Sequence, residues 1–495
     1  MLHLLAQGVR RFVAGRNSGL RLLSLCLPAL LAACTIPVVE TLPQDMCNFQ
    51  RYRLEVELPE APGHAALDGV DRPLTVARAI RNLFKDTAPG PGAAPTVPQD
   101  DAMLFLSGGS QEGAFGAGIL NRWHLRAGHL PAFRVVTGIS TGAILATPAF
   151  LDRPELSVDH RTSPTDEGHH GYAVLGESEL LRPIARSGAR GFGVRTAIPA
   201  LRHGAVADLD PLRQMLLREL GDAELNAVAA AYGRRLLLVG VVDVDSGQAV
   251  ALDLTEMAHR YAGAREPEKT RLHHCYVDAI VASSSEPLAA LPVFIDNRMY
   301  VDGGARFGLF SSEFDRAFAD IAKNPTTEEA AVERRLALAN VYAIVNGDLT
   351  TPETCGRQDR SLCQTVGTDG RYGAHAGWNL LDLALRSERI LVNQVQRMSL
   401  ARINSKEESV RFHPAWIQSQ GRTHLFRMDH PGLGSGQLTC AEWRAMDTDL
   451  VHPIQFHPRE MHCLIDYGGW EFDQNLRWNQ PPAPPNDIAV PTAKP

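Results

Sequence analysis

The stretch "RVVTGISTGAILA", from Arg134 to Ala146, places one serine between a run of β-branched residues and a helix-like run. The first half is typical of a buried strand and the second of a helix start. Gly138 and Gly142 flank Ser140 in the pattern G-x-S-x-G. In a nucleophile elbow, glycines at these positions avoid collisions with the adjoining strand and helix, and the turn lifts the serine hydroxyl above the sheet. We therefore interpret Ser140 as a candidate nucleophile.

Strand and helix patterns alternate on both sides of this turn. "AMLFLSGG", which begins at Ala102, is a short apolar run that ends in glycines, and "EGAFGAGILNRWHLRAG" follows it with helical spacing. Further strand patterns are "RRLLLVGVVDVDSGQAV", "RMYVDGG" and "NVYAIVNG". Strands that alternate with helices at this spacing indicate a parallel sheet with right-handed crossovers. We therefore predict an α/β fold with a mainly parallel central sheet flanked by helices.

A glycine-rich loop, "SGGSQEG" at 107–113, follows the first of these strands. Successive small residues can turn several backbone N–H groups into one concavity. Because adjacent βα loops emerge at the same edge of a parallel sheet, this loop should lie beside Ser140. A dinucleotide fingerprint is the rival interpretation, but the glycine spacing differs and the second strand is followed by no acidic residue for a ribose.

A serine nucleophile also needs a base. Val301-Asp302-Gly303-Gly304 stands at the end of an apolar run, where a strand passes into a loop. Taken alone, this motif is more typical of a common Asp-Gly turn than of a catalytic base.

Together, "GGSQEG", "GISTG" and "DGG" occur in the order that the patatin-like phospholipases show, and this part of the chain resembles that family. "ASSSEPLAALP", Ala282 to Pro292, is similar to the family's Ser/Ala-rich segment before the aspartate, and "VVDVDSGQAV" to a strand and turn between the catalytic motifs. The resemblance covers Ala102 to Phe310 and, more loosely, the chain up to Asn346.

The resemblance implies a three-layer patatin-like fold and a serine acyl hydrolase that cleaves fatty-acyl esters of phospholipids or other glycerolipids. Ser140 would attack the ester carbonyl, and Asp302 would act as its base in a dyad. The resemblance further implies a set of oxyanion-hole donors and a set of motif glycines. These are the backbone amides of Gly108, Gly109 and Ser110, and Gly113, Gly138, Gly142, Gly303 and Gly304. No cofactor or metal ion is implied.

The glycine-rich loop departs from the family pattern D-G-G-G-x-R-G. Ser107 replaces the Asp, Ser110 the third Gly and Glu112 the Arg. We expect the backbone donors to survive if φ at Ser110 stays negative. Glu112 could weaken the binding of anionic head groups or change the stabilisation of the oxyanion.

Other functions stay open at this point. An acyltransferase of the same fold would pass the acyl group to an alcohol, and a catalytically weak surface lipoprotein would use the fold for binding. A Ser-Asp-His triad would need one of the histidines that follow Asp302, although none stands in a recognisable motif. They are His375, His413, His424, His430, His452, His457 and His462. The "LHHC" and "HPREMHC" segments match no known metal site well.

The N-terminus predicts export. Four arginines precede "LLSLCLPALLAA", the charge-then-apolar order of a signal peptide. "LAAC", which ends at Cys34, resembles the bacterial lipobox. By that resemblance the chain is cleaved before Cys34, whose lipidated thiol anchors the protein in a membrane. Because Thr35 is not Asp, we expect the outer membrane.

Cysteine usage agrees with an oxidising compartment. Of the eight cysteines, six remain once Cys26 in the signal and Cys34 are set aside. Six cysteines permit three disulfides in 15 connectivities. Cys355 and Cys363 are the easiest pair to close, whereas Cys275 is equally well interpreted as a buried thiol.

Composition and patterning complete the predicted organisation. A net charge of −7 gives no support to nucleic-acid binding, and the sequence leaves the oligomeric state open. We predict a signal at 1–33, a tether and linker at 34–100, a catalytic domain at 101–350, an extension packing on the core at 351–478 and a disordered tail at 479–495. "YRLEVEL" and "PLTVARAIRNLFKD" within the tether either pack on the core or space it from the membrane. "GWNLLDLALRSERILVNQVQRMS" predicts a long amphipathic helix that packs on the core rather than on a membrane.

Overall fold

The computed structural model describes part of the 495-residue chain. The described residues are 46–54, 75–86, 101–153, 182–183, 205–310, 332, 336, 339–349, 380–404, 411–418, 421, 423–430, 433–446, 457–476 and 478. Cys34 and the pair Cys355 and Cys363 lie outside them, as do the predicted signal and tail.

The described strands fall into one large and two small sheets. They are β1 Arg51–Arg53, β2 Met103–Leu106, β3 Val135–Ile139, β4 Arg182–Pro183, β5 Ala205–Asp208, β6 Leu236–Asp243, β7 Gln248–Asp253, β8 Leu288–Ala290, β9 Val293–Ile295, β10 Arg298–Asp302, β11 Asn340–Asp348, β12 Arg411–Ile417, β13 Phe426–His430 and β14 Gly434–Leu438.

The described α-helices connect and flank these strands. They are α1 Val76–Asp86, α2 Gly113–Ala127, α3 Thr141–Leu151, α4 Asp210–Glu219, α5 Asp222–Ala229, α6 Leu254–Gly263, α7 Glu268–Ser283, α8 Leu380–Asn404, α9 Cys440–Met446 and α10 Pro458–Glu471.

The central sheet has the order β1-β7-β6-β3-β2-β11-β12. The run from β6 to β12 is parallel, whereas β7 and β1 add an antiparallel edge. Along β2, Leu104 and Leu106 enter one hydrophobic core while Met103 and Phe105 enter a second core on the opposite face. Side chains of a strand alternate between faces in this way, so the sheet is covered on both sides. The predicted α/β fold is confirmed.

Strand β10 brings a distant segment to the end of β3. The last residue of β3, Ile139, pairs with Gly240 of β6. The last residue of β10, Asp302, pairs with Val241 of β6. Because β3 runs parallel to β6 and β10 runs antiparallel to it, the two strands end against each other on the same side of β6. The residue after β3 and the residue that closes β10 are thereby brought together.

The N-terminal segment packs on the core in its described parts, which is the first of the two alternatives stated above. Strand β1 pairs with β7 at the sheet edge, and α1 buries Val76, Ile80 and Phe84 in the second core. A disulfide joins Cys47 to Cys275 in α7, so Cys275 is not a free thiol.

Helix α8 has two different sides. Gln396, Ser399 and Leu400 are buried on the side that faces the fold. Large apolar side chains on the other side are exposed, where the sequence predicted packing on the core. They are Leu383 (55% exposed), Ile390 (47%), Leu391 (67%) and Met398 (53%). We call these four residues the α8 apolar surface. Among the described helices, none is long and apolar enough to cross a membrane.

Candidate active site

Ser140 occupies a sharp turn between β3 and α3. Its φ of 55° and ψ of −125° are a strained conformation for a residue with a side chain. A Cβ on Gly138 would stand 2.3 Å from the carbonyl oxygen of Gly142, and a Cβ on Gly142 would stand 2.5 Å from that of Leu106. Both glycines are therefore needed for the close approach of strand, turn and helix. The strained serine between two close-packed glycines has the geometry of the predicted nucleophile elbow.

The Asp302 carboxyl group lies next to this serine. The Ser140 side chain lies close enough to lower the pKa of Asp302, and the N–H of Gly304 donates a hydrogen bond, at 2.7 Å, to its Oδ1. Both Ser140 and Asp302 are buried. The structure thus brings the candidate nucleophile and the candidate base together where β3 and β10 end.

Burial raises the pKa of Asp302 to about 7, although the Ser140 side chain and the hydrogen bond from Gly304 oppose the rise, and the charge of Glu286 adds to it. Glu286 in turn lies near Glu388 of α8. Burial and the neighbouring Glu286 and Asp302 carboxylates raise the pKa of Glu388 as well. A carboxylate whose pKa lies near neutrality is suited to take up and release a proton.

The end of α7 holds the backbone of Ser140 from both sides. Ser283 Oγ accepts the N–H of Ser140 at 3.0 Å and donates to the carbonyl of Gly240 at 2.6 Å. Ser284 Oγ donates to the carbonyl of Ser140 at 3.1 Å. These bonds stabilise the strained turn, and they give the "SSS" run before Glu286 a structural role.

The glycine-rich loop lies over Ser140. A Cβ on Gly108 would stand 2.8 Å from Ser140 Cβ, and one on Gly109 would stand 1.7 Å from the carbonyl oxygen of Asn346. Within the described residues, no protein acceptor takes the N–H of Gly108, Gly109 or Ser110. These amides are therefore available to an oxyanion beside Ser140.

The condition of a negative φ at Ser110 is not met, yet the N–H of Ser110 has no protein acceptor among the described residues. The φ of Ser110 is 50°, in the left-handed region that residues other than Gly, Asn and Asp enter at a cost of roughly 1–2 kcal/mol. The serine takes over the backbone conformation that a glycine would adopt without strain. Its side chain is exposed, so it does not fill the space near Ser140.

The remaining predicted residues fall into two groups. Gly113 and Gly303 also stand at close approaches, since a Cβ would meet Thr141 Cβ at 2.6 Å and the Gly240 carbonyl oxygen at 2.6 Å, respectively.

The described histidine side chains have partners other than Asp302. His413 stacks on Tyr342, His424 stacks on Trp470, His457 contacts Gln111, and His462 lies near Asp466. The side chains of His375, His430 and His452 are outside the described residues.

Several residues of the site escaped the sequence analysis. Asn346 at the end of β11 donates to the carbonyl of Ser107 at 2.7 Å, and Gln396 of α8 donates to the carbonyl of Gly108 at 2.9 Å. Asn346 stands at the end of a predicted strand, which is a signal that could have been used. Gln396 has no such signal, because nothing in a helical pattern tells which polar residue reaches a loop 288 residues away.

No group of three or more His, Cys, Asp or Glu side chains is arranged to hold a metal ion in the part of the chain that the structure describes.

Comparison with known proteins agrees with the order of the motifs. Residues 104–310 match the family model of the patatin-like phospholipases. Among solved structures, the chain is similar to VipD from Legionella pneumophila, with 12% identity, a TM-score of 0.24, and coverage of 75% of this chain and 67% of that chain. A comparison with curated proteins gives no match. The family match spans the elbow, the glycine-rich loop and Asp302, and so residues 104–310 form a domain of the patatin-like phospholipase family, a lipid acyl hydrolase domain.

Proposed function

We propose that this protein hydrolyses fatty-acyl esters of phospholipids or other glycerolipids through a dyad of Ser140 and Asp302. The observation that carries the proposal is the position of the two residues: Ser140 follows the end of β3, Asp302 closes β10, and the two strands end against each other beside β6. The three amides of the glycine-rich loop have no protein acceptor among the described residues. The buried carboxylate replaces the histidine that most serine hydrolases use as base.

In the first half of the reaction, Ser140 Oγ attacks the ester carbonyl carbon and its proton passes to the Asp302 carboxylate. The carbonyl oxygen becomes negatively charged, and the amides of the glycine-rich loop stabilise it. The C–O bond to the glycerol side then breaks, and the proton on Asp302 passes to the leaving alkoxide. The acyl group remains on Ser140 as an ester.

In the second half, water attacks this acyl ester and gives a proton to Asp302. The oxyanion forms again at the same amides. When it collapses, Ser140 Oγ leaves as the acyl C–O bond breaks and takes the proton back from Asp302. The fatty acid is released and the free enzyme is restored. Because Asp302 must be ionised at the start of each half, its raised pKa sets the pH range of the reaction.

A fluorophosphonate probe followed by intact mass tests the nucleophile. We expect labelling of the wild type and none of Ser140→Ala, whereas Ser246→Ala, in the turn between β6 and β7, should label normally. Absence of labelling in the wild type would favour a protein that uses the fold only for binding.

Product analysis tests the reaction class. Vesicles of a defined phospholipid should yield free fatty acid and the lysolipid with wild type, and none with Asp302→Asn. If an added alcohol receives most of the acyl groups instead, the protein is an acyltransferase.

We further propose that the protein works at a membrane surface after export, anchored through lipidated Cys34. Two disulfides, Cys47–Cys275 and Cys440–Cys463, support an oxidising compartment such as the bacterial cell envelope. The α8 apolar surface supports contact with lipid, because exposed Arg389 and Arg397 on the same helix can pair with anionic head groups. Metabolic labelling with a clickable palmitate should mark the wild type in membrane fractions and not Cys34→Ser.

A further inference from the structure

The carbonyl of Gly108 is held by two hydrogen bonds, one from the preceding residue and one from a distant helix. Ser107 Oγ donates to it at 2.8 Å and Gln396 Nε2 at 2.9 Å. Gln396 is 5% exposed, so its amide is withdrawn from water and its bond is not exchanged for one to solvent. Residue 396 lies outside the segment that matches the family.

The position of each donor is itself fixed. The Ser107 hydroxyl accepts the N–H of Asn346 at 2.9 Å, which leaves its proton for the Gly108 carbonyl. Gln396 cannot move away easily, because its backbone packs against Gly308, where a Cβ would stand 2.7 Å from Gln396 Cα. Next to it, Ser399 Oγ accepts the N–H of Gly308 at 3.2 Å.

A fixed carbonyl determines the direction of the next amide. The peptide between Gly108 and Gly109 is trans, since the cis bond in the described chain is Glu266–Pro267. In a planar trans peptide the N–H points opposite to the C=O. With the carbonyl turned to Ser107 and Gln396, the N–H of Gly109 is turned away from them, and no protein group in the described residues accepts it.

We infer that Gln396 is a positioning residue which, with Ser107, orients the Gly108–Gly109 peptide so that the N–H of Gly109 meets the oxyanion. This inference deepens the proposed function and rests on it. Gln396 does not touch the reacting atoms. It acts by preventing a rotation of the peptide that would present the carbonyl oxygen, instead of the N–H, to the developing negative charge.

The kinetic test compares Gln396→Leu with the matched control Gln394→Leu, an exposed glutamine on the same helix. With a soluble short-chain ester, kcat of Gln396→Leu should fall at least about tenfold and up to the 10²–10³-fold that one lost oxyanion donor costs. KM should stay within about twofold. Gln394→Leu should match the wild type in both constants.

A transition-state analogue separates positioning from a general structural effect. A trifluoromethyl ketone, which forms a tetrahedral adduct on the serine, should bind Gln396→Leu more weakly by the same factor as kcat, while a product fatty acid binds unchanged. The Ser107→Ala and Gln396→Leu losses should be less than additive, because both act on one carbonyl. A folded Gln396→Leu with wild-type kcat, or with equal losses for analogue and product, would overturn the inference.

A crystal structure of Gln396→Leu gives a result that does not depend on activity. We expect the Gly108–Gly109 peptide to be rotated or present in two orientations. An unchanged peptide contradicts the role of Gln396 even if the enzyme is active. An inactive wild type with a rotated peptide in the variant would instead contradict the proposed function alone. If Gln396→Leu does not fold, Gln396→Met, which also lacks the donor and matches the side-chain length, takes its place.

Discussion

Asp302 lies near two other carboxyl side chains, those of Glu286 and Glu388, and the spacing of these residues in the sequence does not predict their proximity. The motif D-G-G was recognisable, and the candidate nucleophile and base were both named from their motifs. Glu286 and Glu388 were not, since they come from the loop after α7 and from α8. Their proximity to Asp302 depends on tertiary packing, which a motif does not encode. The raised pKa of this candidate base is thus a property of the folded chain.

The pH profile of hydrolysis should have an acidic limb near the pKa of Asp302. Since the carboxylate is the active form, kcat/KM should rise with pH through about 7 and then level off. Glu286→Gln removes a negative charge that raises the Asp302 pKa, so the limb should move to lower pH. Stopped assays with a short-chain ester across this range measure both profiles.

The control for this shift is Glu268→Gln, at the opposite end of α7, whose partner is Arg271 rather than the site. It should leave the limb in place. A Glu286→Gln profile that coincides with the wild type, or that moves to higher pH, contradicts the electrostatic assignment.

Asp302 should also make the protein less stable as the pH rises. Its pKa is raised from 3.8 to about 7 on folding, so the folded state binds more protons than the unfolded state between these values. The protonated Asp302 contributes its full stability below the pKa that it has in the unfolded state. This contribution is lost as the pH rises through the pKa that it has in the folded state. Asp302→Asn, which stays neutral, should be more stable than wild type above about pH 8, by up to about 4 kcal/mol.

Urea unfolding of both proteins measures this difference. It should shrink towards zero at about pH 4, because wild-type Asp302 is then protonated in the folded state. A difference that is independent of pH would mean that burial of the charge is not its cause.

At the scale of elements, periodicity and motif order predicted β2, β3, β6, β10 and β11, but not how β10 runs. A strand pattern reads the same in both directions, and the antiparallel pairing of β10 with β6 is what places Asp302 against the end of β3. The sequence also could not tell which strand lies beside β11, where the structure places β12. The order of strands follows from packing between distant segments.

The sequence also did not show that only one side of α8 packs on the fold, because an apolar stripe indicates burial but not the surface that covers it. We expect Leu391→Glu to weaken binding to vesicles that contain anionic phospholipid at least about fivefold, since it removes one exposed apolar side chain and adds a repelled charge. Hydrolysis of the vesicles should fall in parallel, while hydrolysis of a soluble ester stays unchanged. Vesicle co-sedimentation and both assays measure these effects.

Leu125→Glu is the matched control, since Leu125 is 49% exposed on α2, outside the α8 apolar surface. It should bind vesicles like the wild type. Equal losses in both variants would assign the effect to net charge, and an equal loss on the soluble ester would assign it to damage of the site.

At the scale of the whole molecule, the two disulfides close loops of very different length. Cys47–Cys275 spans 228 residues and Cys440–Cys463 spans 23. Because the entropy removed from the unfolded chain grows with loop length, Cys47→Ser/Cys275→Ser should cost about 5 kcal/mol of unfolding free energy and Cys440→Ser/Cys463→Ser about 3 kcal/mol. Denaturant unfolding of the two double variants gives the comparison. A larger loss from the shorter loop would contradict this ranking.

The Cys47–Cys275 bond also limits how far the catalytic domain can stand from an anchor. If Cys34 carries the acyl chains as proposed, 47 − 34 = 13 residues separate the bilayer from a point fixed to α7. A fully extended chain spans at most about 3.6 Å per residue, so the maximum length of this linker is about 47 Å. So short a linker keeps the enzyme at the membrane in which it is anchored. Lipids of any other membrane become substrates only where the two membranes lie close together.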